Sequence, residues 1–289
     1  MKKYTGLFIV LIFVLTGIII AVSLAFRLGT FKRMFSNAFA YEEVATVEEP
    51  LESFKDISID ADIMSFEIAR GDDYHVEYRF PGSMLVKCTV DDDTLKITAK
   101  GKKNSFNIKN AFSNENFKMI VYVPKNAAFG KLEGNIDAGN FNISDAVFEE
   151  IDLDMDAANT EFSNITVGDI RIVADAGNIE INDSVTEDLT VETDAGNAEL
   201  SGVSAQEINV TTEMGNIEFK NVNFDEGSFE SQLGNIEVKG TFNKAKAECS
   251  MGAISINPDN PDEAKIEAEV DLGSIKISGK QISGRNYKN

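Results

Sequence analysis

One four-residue phrase recurs along the second half of this chain at a nearly fixed interval. It reads Asp-Ala-Gly-Asn at Asp137 to Asn140, and its third position falls at Gly139, Ala158, Gly177, Gly196, Gly215, Gly234, Gly252 and Gly273. Five successive intervals are 19 residues, the next is 18 and the last is 21. So short a fixed period means one small unit stacked many times. Each unit then contacts only its neighbours, and the chain presents a long ribbed surface rather than a catalytic pocket.

The unit reads as strand. In Asp188 to Ser201, Leu189, Val191, Thr193 and Ala195 alternate with Thr190, Glu192 and Asp194, the period-two pattern of a strand with one buried face. Past Gly196 and Asn197 the inward parity restarts at Ala198 and Leu200, so the Gly-Asn pair is expected to be a corner or bulge, with glycine supplying positive φ. Stacking the units predicts an inward column Phe141, Thr160, Ile179, Ala198, Ile217, Ile236, Ile254, Ile275, and beside it Ile143, Phe162, Ile181, Leu200, Phe219, Val238, Ile256, Ile277. No single unit can bury that face alone. The expected fold is therefore all-β, a single-stranded parallel β-solenoid of about eight 19-residue coils.

The amino terminus sets the compartment. Tyr4 to Phe26 are uncharged and mostly aliphatic, long enough to span a bilayer with some tilt. The Ala38-Phe39-Ala40 site lies well beyond Arg27, Lys32 and Arg33, which favours an uncleaved signal anchor over a removed signal peptide. Lys2 and Lys3 nearly balance those three cations across the span, so charge alone leaves orientation open. All 48 acidic residues lie after Phe39 and five of the 27 basic ones lie before it, leaving −26 on the remainder. That balance excludes nucleic acid and anionic lipid as partners and favours cations.

Four regions follow: residues 1–40, the anchor and its flank; 41–53, an acidic tether; 54–130, a degenerate first coil and β-rich cap; and 131–289, the solenoid repeats. The first coil rests on Ile57 to Ile68, which aligns without a gap on Ile151 to Phe162. Around Asp91 to Thr94 a hairpin is expected, and Lys118 to Pro124 reads as strand; Ser105 to Asn116 is poorly patterned and reads as loop. An atypical β segment at the open end suits a cap over an exposed sheet edge. At the far end Pro258 to Glu263 inserts a turn.

Equivalent residues in a solenoid stand above one another, so polar positions become ladders. Asn140, Asn159, Asn178, Asn197, Asn216 and Asn235 form one, suited to amide bonds from coil to coil. Asp137, Asp156, Asp175 and Asp194, continued by Glu213, form a second; Asp before a turn caps its own backbone, and a row of weak calcium or magnesium ligands is the competing reading. Glu161, Glu180, Glu199, Glu218 and Glu237 form a third, facing outward after the corner, either a solvated face or a docking surface for a basic partner or cell-wall cations. Neighbouring carboxylates about 4.8 Å apart repel by roughly 0.9 kcal/mol in water, which such a face tolerates.

Catalytic signatures are missing. His75 is the lone histidine and lies outside the repeats, there is no tryptophan, and Arg171 sits in an outward column where an ion pair accounts for it. No Gly-x-Ser-x-Gly, paired-cysteine, His-x-x-Glu-His or phosphate-loop motif occurs. Cys88 and Cys249 both fall on inward strand parity and read as buried free thiols. The expectation is a non-enzyme with no cofactor.

The signature x-Asp-Ala-Gly-Asn-Ile-Glu-Ile, together with the upstream segment FKDISIDADIMSFEIARGDDYHVEY, resembles the bacterial β-strand-repeat family known as "putative adhesin", a domain of unknown function, and is similar to LiaG-like membrane-anchored proteins in it. The resemblance covers about residues 54 to 283. It implies an extracytoplasmic solenoid on a single-pass membrane anchor, with an adhesive or envelope-stress role and no catalytic residues to carry over. Expected partners are the membrane, a cell-wall polymer, divalent cations or another envelope protein. Two other readings compete: a bactofilin-like solenoid that polymerises end to end, and a carbohydrate-active β-helix, which short coils and the absent aromatic platform disfavour.

Overall fold

The computed structural model describes residues 44–102 and 117–289, and the regular elements there are all strands. The expected anchor at 4–26 and the expected loop at 105–116 lie outside the described residues. In chain order the strands are β1 Val47–Pro50, β2 Asp56–Ala61, β3 Met64–Gly71, β4 His75–Arg79, β5 Met84–Asp91, β6 Thr94–Gly101, β7 Lys118–Pro124, β8 Phe129–Ser144, β9 Val147–Ser163 and β10 Thr166–Ala176. They continue as β11 Ile179–Asn182, β12 Asp188–Ala195, β13 Ala198–Ser201, β14 Ser204–Met214, β15 Ile217–Leu233, β16 Ile236–Pro258, β17 Lys265–Ile277, β18 Lys280–Ile282 and β19 Asn286–Lys288.

Strand alternation plus a fixed repeat dictates parallel stacking, and the register reports it directly. Phe129 pairs with Phe148, Ile170 with Leu189, Leu189 with Ile208 and Ile217 with Ile236, each one period apart. The fold is a β-solenoid of about eight turns. Every member of the two predicted inward columns is buried, from Phe141 and Ile143 to Ile275 and Ile277. Each such aliphatic or aromatic side chain contributes roughly 1.5–3 kcal/mol on leaving water. Rings stack along the axis at Phe66–Phe141, 4.8 Å, and Phe224–Phe242, 4.9 Å.

The irregular intervals have local causes. The 18-residue interval arises where pairing shifts between Lys220↔Lys239 and Val222↔Gly240, which leaves Asn221 without a counterpart in the next turn. Near Pro258 to Glu263 the chain bulges, and the Asn260 side chain takes the place of a neighbouring strand, accepting from Phe242 N at 3.3 Å and donating to Phe242 O at 2.9 Å.

Chain order and stacking order part company at the amino end. Ile57 pairs with Leu132 on one side and Leu95 on the other; Phe66 pairs with Phe141 and with Met119. The β2–β3 turn is therefore clamped between β8 and the outer turn formed by β6 and β7. Because Leu132 pairs in turn with Ile151, Ile57 and Ile151 belong to one inward column. Beyond β6 and β7 the pairing turns antiparallel: β5 on β6, β4 on β7 and β1 on β4. The β5–β6 hairpin closes through Asp92 and Asp93 at φ 48 and 59, the two-residue turn in which both central residues are left-handed.

β1 corrects the expected tether. Val47–Pro50 is a cap strand, Val47 opposite Tyr78, because the outer edge of β4 would otherwise expose its backbone groups. At the far end β18 and β19 fold back antiparallel on β17, Ile282 opposite Ile275 and Lys288 opposite Glu267. Both end turns thus carry antiparallel covering strands.

Candidate functional site

Two kinds of corner set the surface. At the Asp-Ala-Gly-Asn corner the backbone of adjacent turns comes so close that a Cβ on Gly215 would lie 1.6 Å from Gly196 O, and one on Gly196 would lie 1.7 Å from Gly177 O. Close approach is the requirement common to all seven glycines; Gly139, Gly177, Gly234, Gly252 and Gly273 also have φ between 143 and 159, whereas Gly196 and Gly215 do not have positive φ. Ala158 fits the column with its side chain buried.

The asparagines knit this corner. Asn197 donates its main-chain N and Nδ2 to Asn178 Oδ1, both at 3.2 Å; Asn216 does the same to Asn197 at 2.9 and 3.3 Å, and Asn235 to Asn216 at 2.9 and 3.3 Å. Asn159 donates to Asn140 at 3.2 Å and accepts from Asn178 N at 3.0 Å. The expected aspartate cap does not form: Asp137, Asp156, Asp175 and Asp194 are exposed, and the corner bonds come from the amides. β8 and β9 run unbroken through the corner past Asp137 and Asp156, whereas β10 and β12 stop one residue after Asp175 and Asp194.

Inward parity also ends one step earlier than the alternation suggests. Thr193 is buried but Ala195 is half-buried, and its counterparts Met214, Leu233, Met251 and Leu272 are exposed. Ala195 pairs with Met214, Met214 with Leu233, Leu233 with Met251 and Met251 with Leu272, so one column changes from alanine to large apolar side chains. Inward of it, Thr212, Ser231 and Cys249 donate to the carbonyls of Gly196, Gly215 and Gly234 at 3.3, 3.1 and 3.2 Å.

A second corner escaped the sequence reading. Asp145, Asn164, Asp183, Gly202 and Asn221 recur every 19 residues, all left-handed with φ of 52, 55, 47, 69 and 54. Asn, Asp and Gly are the residues that reach this region at low cost, so their recurrence was the available signal.

Carboxylates occupy the outward columns in single file. Glu161 pairs with Glu180, then Glu199, Glu218 and Glu237, five consecutive turns. On the strand before the corner, Asp169, Asp188, Glu207 and Glu226 stand in register, with Lys131 bonded to Glu150 at 3.0 Å below them and Lys244 to Glu226 at 2.9 Å above. Burial and then the charges of Asp169 and Glu207 push the Asp188 carboxyl above the ordinary carboxylate value. Asp137 is likewise raised, first by burial, against the opposing pull of Lys100. Lys100 bridges Asp60 at 2.7 Å and Asp62 at 2.9 Å. Arg171 pairs with Asp152 at 3.0 Å.

Among the described residues no three His, Cys, Asp or Glu side chains converge on a common point as a cation cage. His75 is packed into the cap, stacked on Tyr122 at 4.3 Å and bonded to Asp73 at 2.8 Å. Burial pushes the Cys88 thiol up to about 12 and raises that of Cys249, which leaves both in the unreactive thiol form near neutrality. Both cysteines are free; Cys249 is buried and Cys88 half-buried.

The model of the Toastrack DUF4097 family matches residues 54–282. The chain belongs to that family. Among solved structures, a "putative adhesin" from Parabacteroides distasonis ATCC 8503 is 17% identical with a TM-score of 0.56, covering 81% of this chain and 96% of its own. Another "putative adhesin", from Parabacteroides merdae ATCC 43184, is 15% identical with a TM-score of 0.55, covering 82% of this chain and 97% of its own. A "putative lipid binding protein" from P. distasonis ATCC 8503 is 18% identical with a TM-score of 0.52, covering 82% and 95%. At such identities these Toastrack-like neighbours establish the shared solenoid and nothing of ligand. No curated protein matches the chain. No helix among the described residues is long and apolar enough to cross a membrane.

Proposed function

We propose that this chain is a non-enzymatic, membrane-anchored extracytoplasmic binding or scaffold protein that presents acidic ribs to cationic ligands: a basic envelope protein, a cell-wall polymer with its bound cations, or divalent cations directly. The observation that carries this reading is the glutamate column, five carboxylates on five consecutive turns. Repulsion up such a column is relieved when a polycation docks, so cation binding is favourable without an enclosed cage. The solved neighbours called adhesins or a lipid binding protein are consistent with a binding role.

Polylysine binding to the full-length chain, followed calorimetrically across a salt series, tests it. Replacing Glu161, Glu180, Glu199, Glu218 and Glu237 with Gln is expected to weaken binding at low salt by tenfold or more and to flatten the salt slope. Unchanged affinity would refute the reading. Protease added to intact cells tests the topology; removal of the solenoid with its cap is expected, and full protection overturns the outward orientation. End-to-end polymerisation is disfavoured because antiparallel strands cover both end turns. Sedimentation of the full-length protein in detergent is expected to give a concentration-independent species.

A further inference from the structure

The geometry points to a docking line for a basic protein segment with apolar side chains, along the corner formed by Met214, Leu233, Met251 and Leu272. These four are 56%, 36%, 43% and 61% exposed, stacked in successive turns. At about 4.8 Å per turn the row is roughly 15 Å long. An apolar row of this length is not required by the fold, since Ala138, Ala157, Ala176 and Ala195 fill the same column in the four preceding turns.

The columns beside the row change with it. Asp137, Asp156, Asp175 and Asp194 are followed by Glu213, Gln232, Ser250 and Asp271, so the strip is neutral beside Leu233 and Met251 and acidic beside Met214 and Leu272 at the two ends of the row. One column farther out the charge returns: Glu230, Glu248 and Glu269 are in register on one side, Glu218 and Glu237 on the other. Lys246 and Lys220 bond Glu248 and Glu218 at 2.5 Å each, and among the described residues Glu230, Glu269 and Glu237 make no ion pair and form the rim.

That rim selects the occupant. A second copy would bring the same carboxylates against themselves, and four half-exposed side chains fall well short of the roughly 800 Å² per partner of a standard interface. An anionic membrane meets the same repulsion. An extended segment with alternating cationic and apolar side chains satisfies both parts, its apolar side chains turned to the row and its long cationic side chains bending back along the surface to the rim. The electrostatic half rests on the acidic-rib reading above; the apolar half does not.

The test compares two labelled probes on the full-length protein by fluorescence anisotropy: an alternating Lys-Leu octapeptide and an octalysine. The octapeptide is expected to bind at least tenfold more tightly. In M214A/L233A/M251A/L272A that preference is expected to vanish while octalysine binding stays unchanged. Folding is secured because alanine is the native residue in four equivalent turns, and an unchanged circular dichroism spectrum and melting point check it. Equal binding of both probes, or a preference that survives in the variant, overturns the docking line and leaves the acidic-rib reading standing. Failure of both probes overturns both. Loss in the variant of a concentration-dependent dimer, or of binding to zwitterionic vesicles, would assign the row to a second copy or a lipid surface and overturn the proposal.

Discussion

The two corners of each turn solve the same problem in opposite ways. At the Gly-Asn corner adjacent turns touch so closely that a side chain has no room at any of the glycines, whatever their φ. At the Asp145–Asn164–Asp183–Gly202–Asn221 corner there is room for side chains but the backbone is left-handed, so the difficulty is conformational. The first corner therefore constrains volume from turn to turn at every glycine, and φ as well at five of the seven; the other constrains φ alone. Loss of a residue falls at the second kind, where the shift after Lys220 drops the counterpart of Asn221. A conformational corner can be shortened locally; a packed one carries its neighbours with it.

Substitutions that exchange the two requirements break this contrast. Gly215→Val puts carbon into the space held by Gly196 O and is expected to cost about 3 kcal/mol, the upper end of overpacking, in a urea-unfolding series. A cost below about 1 kcal/mol would mean the turns separate freely there. Next in size, Asn197→Ala removes the acceptor of two bonds from Asn216 and the side-chain donor to Asn178, leaving the main-chain donor, and should lower stability by about 2 kcal/mol in the same assay. At the other corner Asn221→Ala is expected to cost about 1 kcal/mol for a left-handed residue with a methyl group, while Asn221→Gly stays near wild type. If both change stability equally, conformation is not what that corner selects.

The smallest effect is titration. The Asp137 and Asp188 carboxyls are raised in the folded chain, burial being the main cause. Their unfavourable contribution is complete above the raised value and disappears below the ordinary carboxylate range, where folded and unfolded chains are both protonated. Asp137→Asn with Asp188→Asn should therefore stabilise the protein at pH 7, with the advantage shrinking on acidification through that range. Asp91 and Glu267, lowered by Lys96 and Lys288, run the other way, losing their contribution as pH falls. Melting temperatures from pH 7 to pH 3 for wild type and the double variant separate the two; an advantage that grows on acidification contradicts the assignment.

Much of the fold was legible because period and parity are properties of sequence. The two inward columns and the hairpin at Asp91 to Thr94 follow from spacing alone. Ala195 was misplaced because alternation continues past the last residue that faces inward; only the third dimension shows that Thr193 is the end of the row. Val47–Pro50 read as tether because its acidic side chains hid a strand whose backbone is wanted by β4. The second corner was obscured by its variety, since Asp, Asn and Gly serve it equally. Of the candidate surface, the carboxylate columns were visible in the repeat, whereas the apolar row shares its column with Ala195, whose parity reads as inward.

The clamped β2–β3 turn has a consequence for how the molecule is made. A ribosome releases these strands first, yet both of their parallel neighbours on one side, β6 and β7, and on the other, β8, come later, at separations of 38, 53 and 75 residues. The earliest segment of the solenoid must therefore wait, open on both edges, until the chain doubles back around it. From β8 onward each new turn settles on one already in place. Biosynthesis thus divides into one slow closure at the amino end and a steady winding toward the other.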